Sequence, residues 1–496
     1  MSALAEAINR SFSAGEPEQP SVSPLRALGR RRLSGIEVLA QSVATTAPAA
    51  SMVVLPITVL HTVSPLIGLL TIVGATILIS LVAVCVTRFT RRQAAAGGLY
   101  SFVFQGLGTR AALTAGVAIL VKYLGSATLT LYSGVTAATT VLAVLGIDAG
   151  SPAAKLGVYA AVALVALAVL VRGARVAAVA ILLVEVCSLV FIVALMLLGT
   201  PGPVVAPPTA PTHGVLYAAL AAIFALAGFE SATFFGPETK RPLQTVTRIV
   251  LITPLLCGTL FVFAAWAAWT GRSALLVGAY LHGTASGASA LLVIALNMGL
   301  CCSWLASATA SSHAASRLVY SMGVERLLPA AVTAVHRRFR TPHRALLGIV
   351  AIVVVASTAL ALLDGRLDAL RLVVRAMVVA AYVLVAVASV LFLRRIGEQT
   401  RPALVIGVVS GGFGVALLAY LLVAGLVGTD VLAPLLVIAL LAAGSVWHRV
   451  LRRTGGMRRV GAFDRAESAD VLPGAGVYGR DACGEPVLVG KGPRAP

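Results

Sequence analysis

Phe224-Ala225-Leu226-Ala227-Gly228-Phe229-Glu230-Ser231 is the stretch on which the fold turns. It lies inside an apolar run long enough to cross a bilayer, and it places a glycine and a carboxylate there, flanked by aromatics. A carboxylate at that depth is costly and marks a functional position by default. A membrane helix must satisfy its own backbone, so a break is tolerated only beside protein or water. A second interruption lies five spans earlier, in Ser42-Val43-Ala44-Thr45-Thr46-Ala47-Pro48-Ala49-Ala50-Ser51. Pro48 removes a donor and clashes with the preceding turn. Its neighbours are small or hydroxylated, which suits either an unwound segment with accessible backbone or a plain proline kink with close helix packing. Corresponding breaks in two halves of a chain point to a site near the midplane. Half-helix N-termini there can bind a carboxylate through free N–H groups and the positive dipole end.

Working outward, the remaining sequence is of the same kind. Of 496 residues 59% are hydrophobic and 11% charged, against roughly 25% charged in a soluble domain. Runs of about 20 apolar residues, each enough for a hydrocarbon core of roughly 30 Å, predict spans at 36–61, 66–87, 111–140, 154–171, 174–199, 215–237, 246–270, 288–318, 344–363, 370–393, 402–427 and 430–448. Spans one and eight are long enough to tilt or break. Ala96 to Gly108 reads as a short interfacial helix, and Ser34-Gly35-Ile36-Glu37 as a capping box. The division is a disordered cytoplasmic N-tail (1–33), a twelve-helix domain (34–448) and a basic, Gly/Pro-rich cytoplasmic C-tail (449–496).

The net charge of +20 is placed by this topology. With the N-terminus inside, 32 of the 38 Lys and Arg fall on the cytoplasmic side, which is the retained-positive pattern. Both termini are therefore expected on the cytoplasmic side of a plasma membrane. The basic loops then face anionic headgroups rather than nucleic acid. The six cysteines have no metal-ligand spacing, and no Gly-x-x-x-x-Gly-Lys-Ser/Thr opens a helix. No cofactor, metal or catalytic constellation is expected.

Three stretches resemble the amino acid–polyamine–organocation (APC) superfamily, specifically bacterial amino acid permeases. They are Ala96-Gly97-Gly98-Leu99-Tyr100-Ser101-Phe102 with Gly106 and Gly108; Phe224 to Pro242, ending Glu238-Thr239-Lys240-Arg241-Pro242; and Arg317 to Pro329 followed by Arg340-Thr341-Pro342. The resemblance covers roughly residues 33–450. It implies an all-α membrane protein with a LeuT-like inverted five-plus-five repeat, broken helices one and six, and two trailing helices. Substrate would lie against Ala47, Pro48, Ala49, Ala50 and Ser51 of span one and Phe224, Ala225, Leu226, Ala227 and Gly228 of span six. Lys122 and Tyr123 of span three would stand near it, with Phe224 as the aromatic that closes over it. Many relatives carry Gly-Ser-Gly where this chain has Ala49-Ala50-Ser51, a stiffer loop that leaves the substrate class open.

The charged residues within spans each carry two readings. Lys122 either pairs with a substrate carboxylate or replaces a coupling cation, or else it makes a structural pair or snorkels. Glu185 and Glu230, with Lys122, are the proton-coupling candidates; Glu185 could instead be a structural partner of Lys122 or of backbone, and Glu230 a structural brace. Glu238 and Lys240 suit a gate-side network at the inner helix end. Arg375 is expected to snorkel to the outer interface, Tyr382 to pack or face outward, and His61 to sit at the interface. The hydroxyls Ser303, Ser307, Thr309, Ser311 and Ser312 suit interhelical hydrogen bonds or a sodium ion. The expected function is secondary active transport of amino acids by alternating access. It would be proton-coupled (or sodium-coupled) or exchanging, with neutral substrates favoured because the candidate pocket is built of Ala, Leu and Phe. A polyamine or cationic amino acid antiporter and a non-transporting sensor or scaffold are the alternatives.

Overall fold

The computed structural model describes residues 28, 32–60, 63–147, 149–202, 214–362, 367–427, 431–462, 478–480 and 486–488; His61 falls outside them. Twelve helical segments among these are long and apolar enough to cross a membrane: Gly35–Leu60, Pro65–Thr90, Thr109–Val144, Pro152–Val171, Ala174–Leu198, Val215–Glu238, Pro242–Trp269, Ala290–Val324, His343–Leu362, Leu367–Arg395, Arg401–Leu426 and Leu432–Arg453. The chain is a multi-pass membrane protein whose membrane-spanning part is all-helical. Two three-residue strands near the C-terminus, Tyr478–Arg480 and Pro486–Leu488, pair antiparallel.

Helix boundaries follow local chemistry. Span one opens on the expected capping box: the Ser34 N–H donates to Glu37 Oε2 (2.6 Å) and the Glu37 N–H to Ser34 Oγ (3.5 Å). Span seven starts at Pro242, four residues before its expected start, because a proline in the first turn gives up no hydrogen bond. The expected interfacial helix is present as Leu99–Leu107. A nine-residue helix, Ala274–His282, was not anticipated; it is apolar but too short to span. Span eight runs unbroken over 35 residues, about 50 Å at 1.5 Å per residue, more than a perpendicular crossing needs. The last span continues to Arg453, past the boundary expected at 448. A 3₁₀ turn, Gly456–Arg459, then lays Val460 and Gly461 over the Leu99–Leu107 helix, where the Gly461 N–H meets Tyr100 Oη at 3.3 Å.

Spans one, three, six and ten are the most buried, whereas only 11% of the apolar window of span four is buried. Leu164 and Val165 on span four are 68% and 66% exposed, as expected of side chains that face lipid. The buried spans bring the two interruptions together. Span one stops at Ala44 and restarts at Pro48, with Ala47 at φ +45°. Span six stops at Leu226 and resumes as a 3₁₀ helix, Phe229–Glu238. Gly228, between them, has φ +150°, and a Cβ there would lie 2.9 Å from Thr45 Cγ2. Ser42 Oγ donates to the Phe229 carbonyl (3.0 Å), and Thr45 Oγ1 lies 3.1 Å from Ser231 Oγ. The breaks are therefore in direct contact.

Because Gly228 lacks both the steric room and the backbone freedom for a side chain, Gly228→Ala is expected to destabilise the protein by about 1–3 kcal/mol. Gly157→Ala is the control, since Gly157 is in mid-helix with nothing within 4 Å of its would-be Cβ; it should be neutral or stabilising by up to about 1 kcal/mol. Thermal unfolding in detergent reads both.

Candidate functional site

The site is built around the two breaks, and each break is held by a carboxylate. At span six the carboxylate is Glu230, 2% exposed. Its Oε1 accepts from Lys122 Nζ (2.8 Å) and Tyr123 Oη (2.9 Å). Its Oε2 accepts from Tyr382 Oη (2.8 Å) and from the Gly228 N–H (3.0 Å). Spans three, six and ten thus converge on one side chain, which also takes up a backbone donor released by the break. Lys122 and Tyr123, placed near the substrate by resemblance, lie instead in this buried cluster, and Lys122 Nζ also rests 3.8 Å from the Tyr123 ring centroid. Tyr382 packs here as well, with its hydroxyl in the cluster.

At span one the carboxylate is Glu185 of span five, 3% exposed. Its Oε1 accepts from the Ala49 N–H (3.0 Å) and from Ser303 Oγ of span eight (2.9 Å). Ser303 Oγ in turn accepts from the Ala50 N–H (3.2 Å). Its Oε2 is buried without a hydrogen-bond partner. Ser307 Oγ donates to the Thr45 carbonyl (2.9 Å). The other amides of the break are also used: Thr45 donates to Gln41, Thr46 to Val43, Ala47 to Ala44 and Ser51 to Ala47. Pro48 has none to give. The N-terminus of the second half-helix, where an incoming anion would be held, is thus already capped by the protein's own carboxylate and hydroxyl.

Beside the breaks is a cavity of about 210 Å³. One water needs about 10–15 Å³ on this measure, so the cavity accommodates a molecule of amino-acid size. Of the sequence-named residues, Ala47, Ala50, Ser51, Phe224, Ala225 and Ala227 line it. Pro48, Ala49, Leu226, Gly228, Lys122, Tyr123, Glu185 and Glu230 are not on its wall; they form the layer behind it or the clusters described above. The cavity also takes Thr45, Thr46, Tyr217, Trp304, Ser307 and Arg375, which the sequence reading did not assign to the substrate site. For Arg375 a signal existed, since an ionisable residue inside a span is functional by default. Rather than snorkelling, its guanidinium lies 4.9 Å from the Tyr217 ring centroid.

The cavity wall extends to Leu367 and Arg371, where span ten begins. The opposite side, where spans one and seven begin, is sealed. There Arg317 of span eight pairs with Glu238 (Nε–Oε1 3.0 Å), and both are buried. The Arg32 and Leu33 N–H groups donate to the Glu238 carbonyl at 2.7 and 2.9 Å. Gln41 Nε2 donates to the Ala310 carbonyl (2.7 Å) while Gln41 Oε1 faces His313 Nδ1 (3.3 Å). Glu238 thus sits in a network at this end; Lys240 is exposed beside it and its N–H donates to the Leu33 carbonyl (2.9 Å).

Breaking a buried ion pair from one side strands a charge, at a cost of roughly 3–5 kcal/mol. Glu230→Gln and Lys122→Met should each destabilise by about that much, and the double variant should cost less than the sum of the two. The coupling expected for contacting residues is about 0.5–3 kcal/mol. Thermal unfolding of the three variants measures it.

Two interrupted spans in contact, a cavity of amino-acid size between them, and ten further helices around them match the layout that the resemblance implied. No curated protein matches the chain in sequence. The amino acid permease family matches it over residues 39–442, a stretch that contains both breaks, both carboxylate clusters and the whole cavity wall. The chain therefore belongs to the amino acid permease family, the amino acid transporters of the APC superfamily.

Proposed function

We propose that the protein is a secondary transporter that carries amino acids across the plasma membrane by alternating access, with both termini cytoplasmic. The observation that supports this reading is the asymmetry of the site. A cavity bounded by both broken helices extends to the end of the bundle where span ten begins, and a buried network anchored on Glu238 and Arg317 fills the other end. With the termini inside, this is an outward-facing state. Two arginines and no carboxylate stand on the cavity wall, which disfavours polyamines and cationic amino acids as cargo.

Coupling is assigned to Glu185. It ties spans one, five and eight together through one oxygen, and the other is free to take a proton. A protonated carboxyl is a weaker acceptor for the Ala49 N–H, so proton binding would loosen the joint that fixes the second half of span one. Glu230 has four donors around it and serves as the brace of span six.

Purified protein in liposomes should show saturable counterflow of amino acids; its absence for every amino acid would remove the transport reading and favour a sensor that retains the fold. Glu185→Gln keeps an oxygen for Ala49 and Ser303 but cannot exchange a proton. It should preserve counterflow while lowering accumulation driven by a pH gradient about tenfold. Full accumulation in this variant would move the coupling site elsewhere. Phe224→Ala should raise the half-saturating substrate concentration by about tenfold, equivalent to roughly 1.4 kcal/mol, measured by uptake at varied concentration.

A further inference from the structure

The charges on the cavity wall specify more about the cargo than its size does. Two formal charges stand there, Arg371 and Arg375, both on span ten. Arg371 is compensated at the mouth: its Nη1 lies 3.1 Å from Asp368 Oδ1, and both are substantially exposed. Arg375 is one turn deeper. Its Nε is buried without a hydrogen-bond partner, and its guanidinium lies against the face of Tyr217. Among the described residues no carboxylate pairs with it. A guanidinium does not deprotonate in proteins, so among the described residues the cavity wall carries one positive charge that no carboxylate offsets.

Among the described residues, the amides of the span-one break do not compete for an anion. The span-one amides that a carboxylate would use are taken by Glu185, Ser303 and the helix's own carbonyls. A substrate carboxylate therefore finds its donors at Arg375, whose fork suits a carboxylate in two parallel hydrogen bonds. A neutral zwitterion that binds there also brings an ammonium and leaves the cavity's net charge unchanged. A substrate of net charge −1 cancels it.

We infer that this permease carries acidic amino acids, and that Arg375 is the residue that binds a substrate carboxylate and sets this preference. The inference rests on the transport reading and deepens it by naming the substrate class. It replaces the preference for neutral cargo suggested by the apolar residues of the two breaks, because hydropathy along the breaks does not register an arginine contributed by span ten.

The test uses proteoliposomes preloaded with a mixture of unlabelled amino acids and presented with labelled L-glutamate, L-glutamine or L-lysine. Glutamate and glutamine have nearly the same shape, so their ratio reports charge. Wild-type protein should take up glutamate with at least tenfold higher efficiency than glutamine, and lysine least of all. Arg375→Gln should raise the half-saturating glutamate concentration at least tenfold while changing that of glutamine less than threefold. Arg375→Lys, which keeps the charge and loses the fork, should fall between. Unchanged melting temperatures in both variants show that the effect is on binding. Uptake of glutamine or lysine in preference to glutamate, or an equal loss for glutamate and glutamine in Arg375→Gln, overturns the inference and leaves the transport reading intact. Exchange of no amino acid by folded protein overturns the transport reading itself, and this inference with it.

Discussion

A polypeptide that interrupts a helix inside a bilayer must find new partners for the backbone groups it releases, because lipid supplies none. Glu230 does this for span six. It takes the freed Gly228 N–H on one oxygen and, on both, the donors of Lys122, Tyr123 and Tyr382. An unpaired carboxylate at that depth would be prohibitive; with four donors it is a fixed post against which spans three, six and ten are aligned. The conformation of Gly228, and through it the contact between the two breaks, depends on this cluster. The charged pair is thus used for position more than for net stability, since buried ion pairs recover little beyond their desolvation cost.

The first break is held differently. Glu185 and Ser303 reach it from spans five and eight and occupy the amides of Ala49 and Ala50. The departure from glycine at Ala49-Ala50-Ser51 has a structural counterpart in this arrangement, for the half-helix needs only ordinary helical dihedrals after Pro48, and the strained residue is Ala47 just before it. With its amides used internally, the break presents side chains to the cavity rather than N–H groups. The cavity's anion-binding capacity is thereby displaced to span ten, where Arg375 leans on Tyr217.

The two faces of the protein differ in how much polar structure is buried. On the sealed side, Glu238, Arg317, Gln41 and His313 form a desolvated layer between spans one, six and eight. On the open side the comparable position is the cavity itself. A rocking motion that opens the sealed side would have to separate Glu238 from Arg317 and hydrate both. The same motion would have to bring spans one, six and ten together over the cavity, and that closure is assisted when a substrate charge compensates Arg375.

Much of this was legible in the chain. Hydropathy gave twelve spans, because a hydrocarbon slab about 30 Å thick imposes one length on every crossing helix. Pro48, Gly228 and Glu230 marked the interrupted segments, since each violates what lipid permits locally, and the Gly-rich and Glu-Thr-Lys-Arg-Pro stretches pointed to the family. Sequence left open how the charges are paired. Lys122 and Glu230 are 108 residues apart, Ala49 and Glu185 are 136, and no periodicity within either span encodes the other. Arg375 looked like an interfacial arginine because a sequence places a residue along its helix but not toward a neighbour. Local composition determined which segments cross the membrane and where they break. Only the packing of distant helices decided which buried charge meets which, and therefore which one is left for a ligand.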